Sequence, residues 1–322
     1  MTEGQNQTEL ILSLWRWFEL PQQAFGKVNL AAAPNWRINP VSLITMATQQ
    51  VTRTGLRIDH SPDHLAQYDR EIQRMVDLYL KPIEVAGKFF DGEYANVLGI
   101  TVQPELLSIQ TGVARAFPYL ASAWHYRNNP GETSIRPLAV QTVISDAEKH
   151  DTLLVERRPA DITDHPNKLS VLGGALRPGE DPFIGASRCL AKWGITMNPS
   201  QLTLRALTHE PVDMIYCLVF TAEMPGRQID EVIRKHAEKS ELWQEPIASY
   251  HATRLSLLTK TNIHDWNPLG FLAFTCAAFI RHGRGEEEVR EFLDTVYWEL
   301  QTHPYTYNFP MQKYLPTEPG NT

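Results

Sequence analysis

At 322 residues the chain is longer than most single domains, and with 43% hydrophobic residues it can bury a core without disulfide or metal staples. Charged residues at 21% exclude a mostly disordered chain, and a net charge of -7 with no long basic run argues against an extended nucleic-acid surface while leaving room for a small anion in a local basic pocket. Cys189, Cys217 and Cys276 are odd in number and widely spaced, so they suggest buried reduced thiols rather than a disulfide framework or a paired-cysteine zinc site.

The amino terminus carries no basic leader, and the most apolar later run, Leu269 to Ile280, is shorter than the ~18 to 20 residues that cross a bilayer. A soluble, cytoplasmic protein without a membrane partner is expected. Leu10, Ile11, Leu14, Trp15 and Phe18 recur at helical spacing, and a second helix is predicted from Pro40 to Val51. Ser61 as cap and Pro62 in the first turn open a third, with Leu65, Tyr68, Ile72, Met75, Val76 and Tyr79 on one face. Residues 1–81 thus read as a mostly helical region.

After Pro82, glycines punctuate two β-prone runs, Tyr94 to Val102 and Leu106 to Val113, which predicts a small β-rich extension over 82–130. The loop signal Asn128 to Gly131 separates it from a unit over 131–284. That unit is predicted to hold strands at Leu138 to Ser145, Thr152 to Glu156 and Met214 to Ala222, and helices at Gln228 to Leu242 and Pro268 to Arg281. Residues 285–322 are predicted to form a C-terminal helix, Glu286 to Leu300, and an extended tail in which Tyr305, Tyr307, Phe309 and Tyr314 alternate with prolines. The pattern is that of an α+β protein.

Within the central unit, Leu169-Ser170-Val171 leads into Gly173-Gly174, a loop through Arg177-Pro178-Gly179-Glu180, and a helix that Asp181 can cap, Pro182 can open and Gly194 can end. Five residues separate Gly174 from Glu180, and seven separate Glu180 from Arg188. These residues and spacings resemble the Nudix box, over a segment that extends to about 130–260 when the flanking strands are included. The resemblance implies a Nudix-like α/β/α sandwich, in which Gly173, Gly174, Glu180 and Arg188 shape the box and Glu180 and Arg188 brace the loop on the helix.

The departure from the family pattern concerns its metal ligands. In the family, glutamates after the arginine lie on one helix face and hold Mg²⁺ against a diphosphate. The corresponding positions here are Cys189, Lys192 and Trp193, the interval to Gly194 is one residue short, and no Asp or Glu occurs from Pro182 to His209. Three negative charges are thereby exchanged for one positive charge. The resemblance then implies a protein that keeps the scaffold, has lost Nudix hydrolysis, and needs neither a catalytic residue nor a metal or other cofactor.

Arg157, Arg158, Arg177 and Lys192 are the candidate ligand-binding cations for a nucleotide-like or diphosphate ligand; ordinary solvated surface charges are the alternative for each. Two further classes stay open. One is a protein-interaction scaffold that binds a protein partner or a second copy of itself, with the Tyr- and Pro-rich tail as a docking segment. The other is a hydrolase of a nucleoside diphosphate derivative that recruits displaced acids, with Glu156, Asp181, Glu210 and Glu223 as candidates. His60 and His64, beside Asp59 and Asp63, have the spacing of a metal-binding pair on a helix, although no third ligand accompanies them.

Overall fold

A computed structural model describes residues 42–51, 55–81, 91–103, 106–128, 135–149, 152–159, 165, 167–210, 214–236, 241–246 and 265–302. The architecture is mixed α and β, with helices on both faces of a large sheet. The helix predicted over Leu10 to Phe18 and the aromatic tail beyond Thr302 lie outside the described residues.

The eight-stranded sheet has the order β1 (Ser42–Val51), β9 (Thr203–Glu210), β10 (Ile215–Met224), β5 (Leu138–Asp146), β6 (Thr152–Arg157), β11 (Glu241–Pro246). Two short strands join it from the middle of the chain: β7 (Leu169–Ser170) pairs with β6, and β8 (Leu172–Ala175) pairs with β5. The β5/β10 pair is parallel over nine residues, from Leu138/Tyr216 to Asp146/Met224, and its neighbours are antiparallel. The helix α5 (Pro268–Arg281) lies on one face with α6 (Glu286–Thr302). There Phe271, Phe274, Phe292 and Val296 pack with Val143, Val155, Ala206 and Val219 of the sheet. The opposite face carries α3 (Pro182–Ala191) and α4 (Gly226–His236), which bury Phe183, Leu190, Ile229 and Val232 against Leu138, Val140, Leu218 and Phe220. Each fully buried side chain of this size contributes about 1.5 to 3 kcal/mol, so the central strands are apolar on both faces rather than alternating.

A second sheet of three strands has the order β2 (Leu56–Leu65), β4 (Leu106–Arg115), β3 (Glu93–Gln103). It packs through Val97, Ile100, Leu107 and Ile109 into the same core as α3. It is stitched to the large sheet by Ala95 N donating to Leu176 O at 2.9 Å and Val97 N donating to Arg136 O at 2.8 Å. A third cluster joins α1 (Arg70–Met75), the π-helical turn Val76–Leu80 that continues it, and α2 (Ala116–Asn128) through Ile72, Leu80, Phe117 and Leu120.

The mostly helical N-terminal region is corrected by these elements. The segment read as a helix from Pro40 is the edge strand β1, whose Leu43 and Ile44 face opposite cores. Its Ile44, Thr45, Thr48 and Val51 are β-branched, and pairing with β9 outweighs the proline start signal. Ser61-Pro62 likewise lies within β2 and caps nothing. The short helix that follows starts after Asp69, whose side chain accepts from Ile72 N. Because β1 joins the large sheet and β2 the small one, the boundary drawn at residue 82 does not separate structural units. The predicted helix over Gln228 to Leu242 ends at His236, and Leu242 belongs to β11. The β-rich reading of 82–130 omits α2, an unbroken helix of 13 residues.

The edge strand β1 is held from outside the sheet by α6. Arg290 donates to Leu43 O and Ile44 O, both at 2.8 Å, and Glu286 Oε2 accepts from Met46 N at 2.7 Å. The two side chains sit one helical turn apart and pair with each other at 2.6 Å, so they meet the strand as a preformed unit beside its register shift at Leu43/Thr45.

Candidate ligand pocket at the fork of the large sheet

Strands β5 and β6 are paired only at Ser145/Leu153. Beyond that point they diverge, and β7 and β8 fill the opening, one on each side: Glu156 pairs with Ser170 on β6, while Val140 and Gln141 pair with Gly174 and Gly173 on β5. The result is a fork. Gly173 makes it physically accessible, because a Cβ there would collide with the Val140 carbonyl oxygen and lie 2.8 Å from Gln141 Cγ. A Cβ on Gly174 would lie 3.0 Å from Cys189 Sγ and 3.6 Å from Lys192 Nζ, so α3 can approach β8 closely.

The loop leaving β8 is locked onto α3 by one ion pair. Arg188 Nε donates to Glu180 Oε1 at 2.7 Å, and Arg188 Nη2 donates to Glu180 Oε2 at 2.8 Å and to Ala175 O at 3.0 Å. Glu180 Oε2 also accepts from Arg177 N at 3.0 Å. Burial pushes the Glu180 carboxyl up, yet the Arg188 hydrogen bonds and the Arg177 amide outweigh it and leave the group below its ordinary range. Gly179 turns the loop at φ 69°, Asp181 caps α3 by accepting from Phe183 N and Ile184 N, and Gly194 ends it at φ 72°.

A pocket of about 350 Å³ opens at the fork. Gln141, Gly173 and Gly174 line it from β5 and β8, and Glu156 and Arg158 from the β6 arm. Tyr94, Phe117 and Tyr119 come from β3 and α2, and Asn267 and Leu269 from the start of α5. Tyr94 and Tyr119 meet edge to face with ring centres 6.3 Å apart. Asn267 caps α5 by accepting from Gly270 N at 3.0 Å, so the positive end of that helix borders the pocket. Its volume lies within the range of small-molecule sites.

Two polar side chains in this pocket stand out. Gln141 and Glu156 are each only 7% exposed. Among the described residues, Gln141 Oε1 has no hydrogen-bond partner and the Glu156 carboxyl forms no hydrogen bond. Leaving the Gln141 oxygen unsatisfied costs roughly 1 to 3 kcal/mol, so its presence in an apolar setting calls for a reason. Burial raises Glu156 to about 7, against the opposing pull of Arg158 and Lys192.

The sequence-derived candidates separate. Arg158 lines the pocket, and Lys192, exposed at the end of α3, carries its ammonium to Gly174. Arg157 instead donates to Asn167 O at 2.9 Å, and Arg177 is exposed on the box loop. Cys189 is buried, which raises its thiol, and Trp193 is half-buried against His236, whose Nε2 lies 2.9 Å from Trp193 O. A neutral thiol, an ammonium and an indole do not fit a hard divalent cation, which takes anionic oxygens. The acids considered as replacements do not converge: Glu156 lines the pocket, Asp181 caps α3, Glu210 is buried in β9, and Glu223 faces Arg281 at 3.3 Å on β10. All three cysteines are free and buried.

The proposed His60/His64 pair is also corrected. Both residues lie in β2 and not on a helix, so the spacing of a helix face does not apply, and His60 Nδ1 lies 3.2 Å from Thr111 Oγ1. Among the described residues no three His, Cys, Asp or Glu side chains are arranged to hold a metal ion, and no helix is long and apolar enough to cross a membrane.

Comparison with known proteins adds little. No family model matches the chain, and no curated protein does. Among solved structures, the chain is similar to a crystal structure of a MutT/nudix family protein from Enterococcus faecalis at 15% identity, with a TM-score of 0.26. That match covers 31% of this chain and 41% of the other, and at that score nothing is built on it.

Two substitutions test the geometry. Arg188→Ala leaves the Glu180 carboxylate and the Ala175 carbonyl without their shared donor and is expected to cost on the order of 3 kcal/mol; an unchanged denaturation midpoint would contradict the bracing role. For Glu156 the sign follows from its raised pKa. The unfolded chain loses this proton near 4.5 and the folded one near 7, so stability is fullest below 4.5 and declines as the pH rises to about 7. Glu156→Gln should therefore be more stable than the wild type at pH 8 by up to about 3 kcal/mol and nearly equal to it at pH 4.5. A difference independent of pH would count against a buried, unpaired carboxyl.

Proposed function

We propose that this chain is a Nudix-like protein that binds a nucleotide-like ligand at the fork pocket and does not hydrolyse it by the metal chemistry of the Nudix box. The observation that supports this most directly is the arrangement at Gly174. The box backbone and its Glu180–Arg188 brace are retained, while a buried thiol and the Lys192 ammonium occupy the positions where the resemblance places metal-binding carboxylates.

Electrostatics favours binding over hydrolysis at such a site. A unit charge near Lys192 interacts with it by about 1 to 4 kcal/mol at contact, depending on solvent exposure, which repels a divalent cation and attracts a phosphate. Arg158 on the wall and the positive end of α5 act in the same direction. The three aromatic rings provide an apolar counterpart to this basic rim, and together they suit a ligand with a ring at one end and phosphate at the other.

Two measurements test the reading. With Mg²⁺ or Mn²⁺, ADP-ribose, dinucleoside polyphosphates and simple nucleoside diphosphates should not be turned over; metal-dependent hydrolysis at ordinary enzyme rates, roughly 1 to 1000 per second, abolished by Glu156→Gln, would make the chain an enzyme with displaced acids. Calorimetric titration with the same compounds should detect binding that Lys192→Glu weakens by about 1 to 4 kcal/mol, less at high salt. Equal binding by both proteins would remove Lys192 from the site, and no binding of any compound would shift the assignment to recognition of a protein partner.

A further inference from the structure

We infer that the recess beside the C-terminal end of α5 is a second binding site, separate from the fork pocket, and that it takes a small carboxylate with an apolar body. The recess has a volume of about 630 Å³ and shares no lining residue with the fork. The fork lies at the start of α5, by Asn267 and Leu269, and the recess at its end, by Ala277, Ile280 and Arg281. Over the 14 residues of that helix the separation is roughly 20 Å. The sheet contributes a single face to the recess. Val143 and Leu153 pack with α5 in the core; Ser145 follows Val143 on that face, Thr221 and Glu223 follow Val219, and Thr203 pairs with Thr221.

Arg205 is the residue that this face would not hold in a regular sheet. On β9, Leu204 pairs with Phe220 and Ala206 with Val219, so residues two apart on one strand oppose adjacent residues on the other, and Arg205 is the extra residue of a β-bulge. Leu204 and Ala206 accordingly belong to cores on opposite faces of the sheet, whereas a regular strand would place them on the same one. The bulge turns the half-buried Arg205 side chain onto the α5 face beside Ala206, where its Nε donates to Thr221 Oγ1 at 3.1 Å. Burial holds this guanidinium below its ordinary range. Its surroundings therefore penalise the charge, and a bound anion relieves that penalty.

Arg281 has a different task. Its side chain is only 15% exposed and donates to Ser145 Oγ at 2.7 Å, to Asp146 O at 3.0 Å and to Glu223 Oε1 at 3.3 Å, which ties the end of α5 to β5 and β10. Two guanidiniums against the Glu223 carboxylate leave the charged lining residues with one net positive charge. That balance suits a monoanion. The carbonyl end of α5 also borders the recess, and its negative partial charge counts against a phosphate dianion. A carboxylate matches the planar donor fork of an arginine. Thr221 accepts from Arg205, so its own hydroxyl proton can be given to the guest. The apolar lining of Val143, Leu153, Ala277 and Ile280 favours carbon over water behind the charged group.

The experiment titrates the full chain by calorimetry with acetate, butyrate and benzoate, with benzamide as the neutral counterpart of benzoate, and with inorganic phosphate. Butyrate or benzoate should bind more tightly than acetate, and benzamide should bind at least about 10-fold more weakly than benzoate. Neither phosphate nor ADP, a probe for the fork pocket, should displace the carboxylate. Arg205→Met keeps an apolar side chain and removes the charge, and should weaken the carboxylate roughly 10-fold or more. Thr203→Phe narrows the recess while keeping the guanidinium and should weaken it too, so the site stays testable if Arg205→Met does not fold. Binding of no carboxylate, equal binding of benzamide and benzoate, or undiminished binding by either folded variant would overturn the site. Displacement by phosphate would overturn its preference for a carboxylate, and displacement by ADP its separateness from the fork.

Discussion

The contact between Gly173 and the carbonyl of Val140 is the constraint on which the centre of this molecule depends. Only a residue without a side chain can lie there, and once it does, β8 can pair with β5 in the space that β6 has vacated. The sheet then forks, β7 continues the same segment on the other arm, and the opening between the arms becomes the pocket. A close approach of two backbones thus brings Gln141 of β5 into one pocket with Glu156 and Arg158 of the β6 arm.

The neighbouring glycine acts in the other direction, toward the helix. With no Cβ at 174, Cys189 and Lys192 can come within contact distance of the strand, and the Glu180–Arg188 pair then holds the intervening loop at that spacing. The pair is mostly shielded from solvent, with side-chain exposures of 23% for Arg188 and 11% for Glu180, so its geometry is less subject to the screening that weakens surface ion pairs.

The sequence made parts of this arrangement legible and hid others for identifiable reasons. The box loop, the capped helix after Asp181 and the helix from Pro268 carry local signals, namely turn glycines, a capping side chain and a proline at the first turn, and each forms where those signals lie. The mostly helical N-terminal reading failed because β1 and β2 are selected by partners far along the chain, β9 and β4, which override a local proline pattern. Arg158 and Lys192 could be suspected from charge and position. Gln141 could not, although a polar residue inside the apolar run Leu138 to Ile144 was a usable anomaly; its significance depends on a cavity that strands from both halves of the sheet create. Tyr94, Phe117 and Tyr119 lay in a segment read only as a β-rich extension, and it is α2 that turns two of those rings toward the fork.

The clasp on β1 has a consequence for how the chain can reach this state. Its strand precedes residue 52, whereas the two side chains that hold its outer edge, Glu286 and Arg290, follow about 240 residues later. During synthesis at ~5 to 20 residues per second, an interval on the order of 10 to 50 s separates the emergence of the strand from that of its clasp. β9 is also made late, so for most of that time β1 has neither its sheet neighbour nor its cover, and it exists as an unpaired strand of the kind that readily templates association with other chains. The pairing and the clasp that protect β1 therefore both wait on segments that lie far along the chain from it.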